Sequence, residues 1–191
     1  MLDLVKIIIL LTCLSTVSCG NNKKQNQNDP GKMNNNSKVL VDSEKDLEKI
    51  GIDILNSETI GTLKYGLSFS ELIKELGEPS ETLDSEMWGA DGEYHQTIKY
   101  STQGIELDII GEVEADKRIN MITIYDPCDL KTSRNVGVGS SYDQVESVYK
   151  ALIDPINSNQ NQIVIGSIYG GMIFKFKDQI VNSIFIGAAA E

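Results

Sequence analysis

His95, in the stretch Glu93-Tyr94-His95-Gln96, is the single imidazole of the chain and sets a narrow limit on its chemistry. A general base or a zinc ligand could be built on it only with donors converging from elsewhere, because no Cys or His pair with ligand spacing accompanies it. It reads as a structural or surface histidine, and no metal site is expected. Cys128 would supply a nucleophile if the fold brought it to His95, as a Cys/His hydrolase requires. Neither residue has flanking groups that would activate a thiolate, so Cys128 reads as a small buried apolar side chain. Asp84, Glu86, Asp91 and Glu93 give one segment the oxygen-rich character that a hard cation prefers. Their spacing departs from the EF-hand and fits a solvated acidic loop. Gly137-Val138-Gly139 and Gly170-Gly171 lack the lysine and the strand-loop-helix context of a phosphate loop, and read as turn and helix-entry glycines. No catalytic residue, metal or cofactor is assigned, and the chain reads as no enzyme.

The aromatic residues carry the better functional hint. Trp88, Tyr94, Tyr100, Tyr125 and Tyr169, with Phe185, lie in or beside the predicted strands. Alternation would leave some of them on a sheet face that helices do not cover, and an exposed aromatic-rich sheet is a surface for binding another protein. The same residues also suit strands for ordinary packing reasons. The 28 Asp and Glu against 17 Lys and Arg give a net charge of −11. So acidic a body repels a phosphate backbone, which excludes nucleic acid as a partner.

An internal repeat positions these residues. Gly66-Leu67-Ser68-Phe69-Ser70-Glu71-Leu72-Ile73-Lys74-Glu75-Leu76 aligns with Gly139-Ser140-Ser141-Tyr142-Asp143-Gln144-Val145-Glu146-Ser147-Val148-Tyr149. Ser68 and Ser141 are placed to cap a helix, and Glu71 and Asp143 fall in the first turn, where they complement the exposed amides. Phe69, Leu72, Ile73 and Leu76 form one apolar stripe; Tyr142, Val145, Val148, Tyr149 and Leu152 form the other. Gly77 and Pro79 end the first helix, and Pro155 lies beyond the second. Period-two patterns then predict strands at 97–100, 104–109 and 119–124, matched by 163–168, 171–176 and 181–186. The fold class is α+β: two tandem helix-plus-antiparallel-meander repeats, about 61–126 and 135–187, sharing one sheet with helices on one face. Ser80 to Glu93 is an acidic, turn-rich insert in the first copy. Ahead of the repeats, Val39-Leu40-Val41 reads as a short strand and Ser43-Glu44-Lys45-Asp46 as a capping box opening a short helix that ends near Gly51.

The first residues set the address. Lys6, the apolar run Ile7 to Leu14 and the small or β-branched Thr16-Val17-Ser18 before Cys19 form a lipoprotein signal over 1–18, with lipid expected on Cys19. The run is too short to cross a bilayer as a helix, which needs about 20 residues. Residues 19–38, rich in Asn, Gln and Lys, read as a disordered tether with a reach of roughly 25 Å. The body, 39–191, is one domain. Cys13 leaves with the signal and Cys128 stays unpaired, so no intramolecular disulfide is expected.

Gly66-Leu67-Ser68-x-x-Glu71-Leu72-Ile73-x-x-Leu76-Gly77-Glu78-Pro79 resembles the helix motif of the small outer-membrane-assembly lipoproteins SmpA and OmlA. The tandem helix-plus-sheet arrangement is similar to that of the beta-lactamase inhibitor protein. The topological resemblance runs from Gly61 to the C-terminus, while motif identity is confined to 66–79; the second copy lacks the Leu-Gly-x-Pro ending. The resemblance implies a noncatalytic interaction module without a cofactor. The expected protein is lipid-anchored in the bacterial cell envelope, in the periplasm or at the cell surface, held to the membrane through Cys19. There it binds another protein as an inhibitor or assembly factor. The alternatives are a lipoprotein that binds a small ligand or cation through the Ser80 to Glu93 insert, and a Cys128/His95 hydrolase.

Overall fold

The computed structural model describes residues 44–190. The signal, the lipid site at Cys19, the tether and the Val39–Val41 strand lie outside the described residues, as does Ser43. Helix α1, Glu44–Ser57, runs well past the expected end at Gly51. Gly51 is there for proximity: a Cβ on it would fall 1.9 Å from the Gly170 carbonyl oxygen, so the helix touches the sheet backbone at this point. Leu47, Gly51 and Ile54 form its buried side at the three- and four-residue spacing of one helical face.

Helix α2, Phe69–Leu76, opens with a complete capping box. The Glu71 amide donates to Ser68 Oγ at 3.3 Å, and the Ser68 amide donates to Glu71 Oε2 at 3.3 Å. Gly77, with φ 77°, ends the helix by donating its amide to the Ile73 carbonyl. Helix α3, Tyr142–Tyr149, is capped by Ser141, whose Oγ accepts from the Gln144 amide at 3.2 Å. A single 3-10 turn, Lys150–Leu152, continues it. Val145 and Tyr149 are buried, whereas Val148, placed in the apolar stripe from sequence, is 37% exposed.

The strands are β1 (Glu81–Thr82), β2 (Glu86–Met87), β3 (Tyr94–Tyr100), β4 (Ile105–Ile110), β5 (Arg118–Tyr125), β6 (Gln162–Ser167), β7 (Gly170–Lys177) and β8 (Ile180–Gly187). They form one antiparallel sheet in the order β1-β3-β4-β5-β8-β7-β6, with β2 also on β3. The class is thus α+β around a single eight-stranded sheet. The insert, read from sequence as loop, supplies β1 and β2. Its two dipeptides find partners on β3 that no local pattern announces.

The pairing register sorts the side chains. Ile98, Leu107, Ile122, Ile186 and Met172 are successive cross-strand neighbours on one face. Leu72, Ile54, Val145 and Tyr149 from the helices join them in a single buried cluster. Each such side chain contributes on the order of 1.5–3 kcal/mol of transfer free energy. Alternation puts His95, Thr97, Asp108, Met121, Thr123, Phe185 and Lys175 on the other face. At the β6 edge, the Asp154 amide donates to the Val164 carbonyl at 2.8 Å and Ser158 Oγ accepts from the Val164 amide at 2.9 Å. A loop thereby occupies ladder positions that would otherwise invite another strand.

Candidate functional site

The face opposite the helices is held in shape by His95. This residue sits on β3, buried, with Nδ1 2.8 Å from Asp108 Oδ2 on β4 and Nε2 3.0 Å from Asp91 Oδ2 in the insert. Both contacts are hydrogen bonds when each ring nitrogen carries its proton, since a carboxylate only accepts. Asn120 Nδ2 donates to the same Asp108 oxygen at 2.9 Å, and Asp108 Oδ1 has no partner among the described residues. The Asp91 carboxyl is held below its ordinary value, first by the Glu93 amide that donates to it and then by His95.

Trp88 completes this arrangement. Its ring stacks on the His95 imidazole with centroids 3.7 Å apart and planes 5° from parallel. The Trp88 amide donates to the Glu93 carbonyl and the Gly92 amide donates to the Trp88 carbonyl, closing a tight turn that carries Asp91. His95 is therefore a fastener between sheet and insert, and Asp91 is committed to it. Among the described residues, no group of three or more His, Cys, Asp or Glu is placed to hold a metal ion.

Beside Trp88 the open face dips into a groove of about 550 Å³. Its walls are Trp88, Met121, Thr123, Ile173, Lys175, Ser183, Phe185 and Ala188 to Ala190. The alanines form a wall because the Ala189 and Ala190 amides donate to the Ile168 carbonyl at 2.8 and 3.1 Å, fixing this stretch over the sheet. A smaller recess of about 250 Å³ reaches Thr97, Glu106 and Asp108 and shares Trp88, Met121, Thr123 and Phe185 with the groove. Such a volume, an apolar lining and a few polar groups are what ligand and peptide sites have in common.

The aromatic residues singled out from sequence divide among three places. Trp88 and Phe185 line the groove, and Tyr125 lies on the same face at the end of β5. Tyr94 and Tyr100 share the register of Ile98 and so point to the helix side. Tyr100 is 4% exposed and donates its hydroxyl to the Gly77 carbonyl at 2.9 Å, which corrects its assignment to an exposed face. Tyr169, in the turn between β6 and β7, is 55% exposed. Sequence reasoning missed Met121, Thr123, Lys175 and Ser183. Their signal was the second phase of the alternation, the phase left over once the core positions are marked.

Cys128 and His95 do not meet. Gly104, preceding β4, packs on the Cys128 backbone, whereas His95 pairs with Ile110 at the other end of that strand, about 17 Å away at 3.4 Å per residue. Burial pushes the Cys128 thiol up, against thiolate formation. A second polar group, around Glu58, is a structural tie. Its carboxylate accepts from the amides of Thr59 and Ser133, from the Ser133 hydroxyl and from Tyr149, with Arg134 Nε 3.5 Å away. Comparison with protein-family models, curated proteins and solved structures returned no match.

Proposed function

We propose that this chain is a noncatalytic recognition module that binds another protein through the open face of its sheet. The observation that carries the reading is the Trp88 ring clamped on His95 beside an apolar groove. A rigid aromatic beside a pocket is the usual form of an interface anchor, because little side-chain freedom is lost on binding. The separation of Cys128 from His95 weighs against a hydrolase. In this reading two helix-plus-meander repeats build the domain, an arrangement supported by the order of elements. Helix α2 precedes the β3-β4-β5 meander, α3 precedes β6-β7-β8, and the last strand of each pairs with the other. The module is exported and lipid-anchored through Cys19 in the bacterial envelope, a placement that rests on the signal pattern and on the resemblance to small assembly lipoproteins.

The test is affinity capture from detergent-solubilised envelope and from culture medium. The bait is the full chain carrying Cys19→Ser, compared with the same bait carrying Trp88→Ala and Phe185→Ala, and with a third carrying Tyr169→Ala. A protein held by the first and third baits and lost from the second, with circular dichroism unchanged, is the expected result. Identical capture by all three, or capture by none, refutes recognition through this face.

A further inference from the structure

The groove has a charge that its surroundings do not predict. Acidic residues outnumber basic ones 28 to 17 in the chain, yet among the described residues the groove lining contains no carboxylate and a single cation, Lys175. Lys175 makes no ion pair among the described residues, in contrast to Lys99 and Lys117. It lies directly across from Ser183 in the β7–β8 ladder, so an ammonium and a hydroxyl project side by side at the rim. Trp88, Ile173 and Phe185 form the apolar part below them. A volume of about 550 Å³ lies within the range of small-molecule sites and has room for an unbranched chain, and it is open on one side.

We propose that this groove is a binding site for a small amphipathic carboxylate of the medium-chain fatty-acid class. The headgroup pairs with the Lys175 ammonium and accepts from the Ser183 hydroxyl. The alkyl chain lies against Trp88 and Phe185. One lysine balances one monoanion, which favours a carboxylate over a phosphate dianion. The proposal does not depend on protein recognition through the same face: it predicts binding by the isolated protein.

The chain contains one tryptophan, so its selectively excited emission reports on this groove and on the recess that shares Trp88. The full chain is titrated with octanoate and decanoate below their micellar concentrations, and with decanol and decylamine as controls, with calorimetry in parallel. A saturable change in Trp88 emission is expected. Decanoate should bind up to about fifteenfold more tightly than octanoate, since it adds two methylenes and each one buried is worth up to about fourfold. Lys175→Met should weaken decanoate about threefold and leave decanol unchanged, the modest size reflecting an exposed ion pair. Because Lys175 is exposed, the variant should keep the circular dichroism of the parent. No saturable signal and no heat with either carboxylate would overturn the proposal. So would equal affinity for decylamine and decanoate, or wild-type affinity for decanoate in the Lys175→Met protein. None of these results bears on protein capture, which is read separately.

Discussion

Replacing Gly51 by Ala should destabilise the domain even though alanine is the better helix former. Mid-helix, the exchange gains roughly 0.5–1 kcal/mol in propensity. Against that gain stand three backbone atoms: a Cβ would lie 1.9 Å from the Gly170 oxygen, 2.9 Å from its carbonyl carbon and 3.3 Å from the Ser167 nitrogen. No rotamer change relieves a clash with main chain, so α1 must lift from the β6–β7 hairpin and give up part of the packing of Leu47 and Ile54. Overpacking of this kind costs about 1–3 kcal/mol, and the backbone contact puts it at the upper end. The net loss is about 2 kcal/mol, or roughly 4–8 °C in melting temperature for a domain of this size. The assay is thermal and urea unfolding followed by circular dichroism, with Ile52→Ala, on the exposed side of the same helix, as reference. That reference should shift stability by no more than about 0.5 kcal/mol. A Gly51→Ala protein as stable as its parent would refute the close approach of helix to hairpin.

Two more perturbations address the polar contacts. Tyr149→Phe removes the hydroxyl that donates to Thr132 Oγ1 at 2.9 Å and reaches Glu58 Oε2 at 3.3 Å, inside a buried cluster. Urea unfolding should show a loss of about 1–3 kcal/mol; an unchanged midpoint would mean that Arg134 alone satisfies that oxygen. The Glu71 carboxyl is held below its ordinary value of 4.5, first by the Ser68 hydroxyl and then by the Ser68 amide. Its contribution is therefore complete above pH 4.5 and lost as pH falls through the lowered folded value. The stability difference between the parent and Glu71→Gln should stay constant from neutral to mildly acid pH and close at strongly acid pH. A difference independent of pH throughout would refute the cap as a charged interaction.

Local signals made most of the fold legible. Ser68 and Ser141 announce their helices, and the period-two runs of Ile105, Leu107 and Ile109 or of Met172, Phe174 and Phe176 announce strands with one buried side. What failed depends on contacts distant in sequence. Gly51 looks like a helix end until Gly170 is seen against it. The dipeptides Glu81-Thr82 and Glu86-Met87 are strands only because β3 offers them partners. The site was half visible. Trp88 stood out as the single tryptophan, but that His95 braces it, and that Asp108 braces His95, follows from register across two strands. Tyr100 was legible in principle, since it shares the phase of Ile98 and so had to face the core.

The pairing of β5 with β8 has a consequence in the order of assembly. That seam holds only four residue pairs, from Ile122 with Ile186 to Tyr125 with Ser183, and it joins the last strands of the two meanders, which are more than fifty residues apart in the chain. The groove straddles it, with Met121 and Thr123 on one bank and Ser183 and Phe185 on the other. Either meander can form from neighbours close in the chain, whereas the seam must wait for a long loop to close. The groove face is thus complete only once this long-range seam has closed.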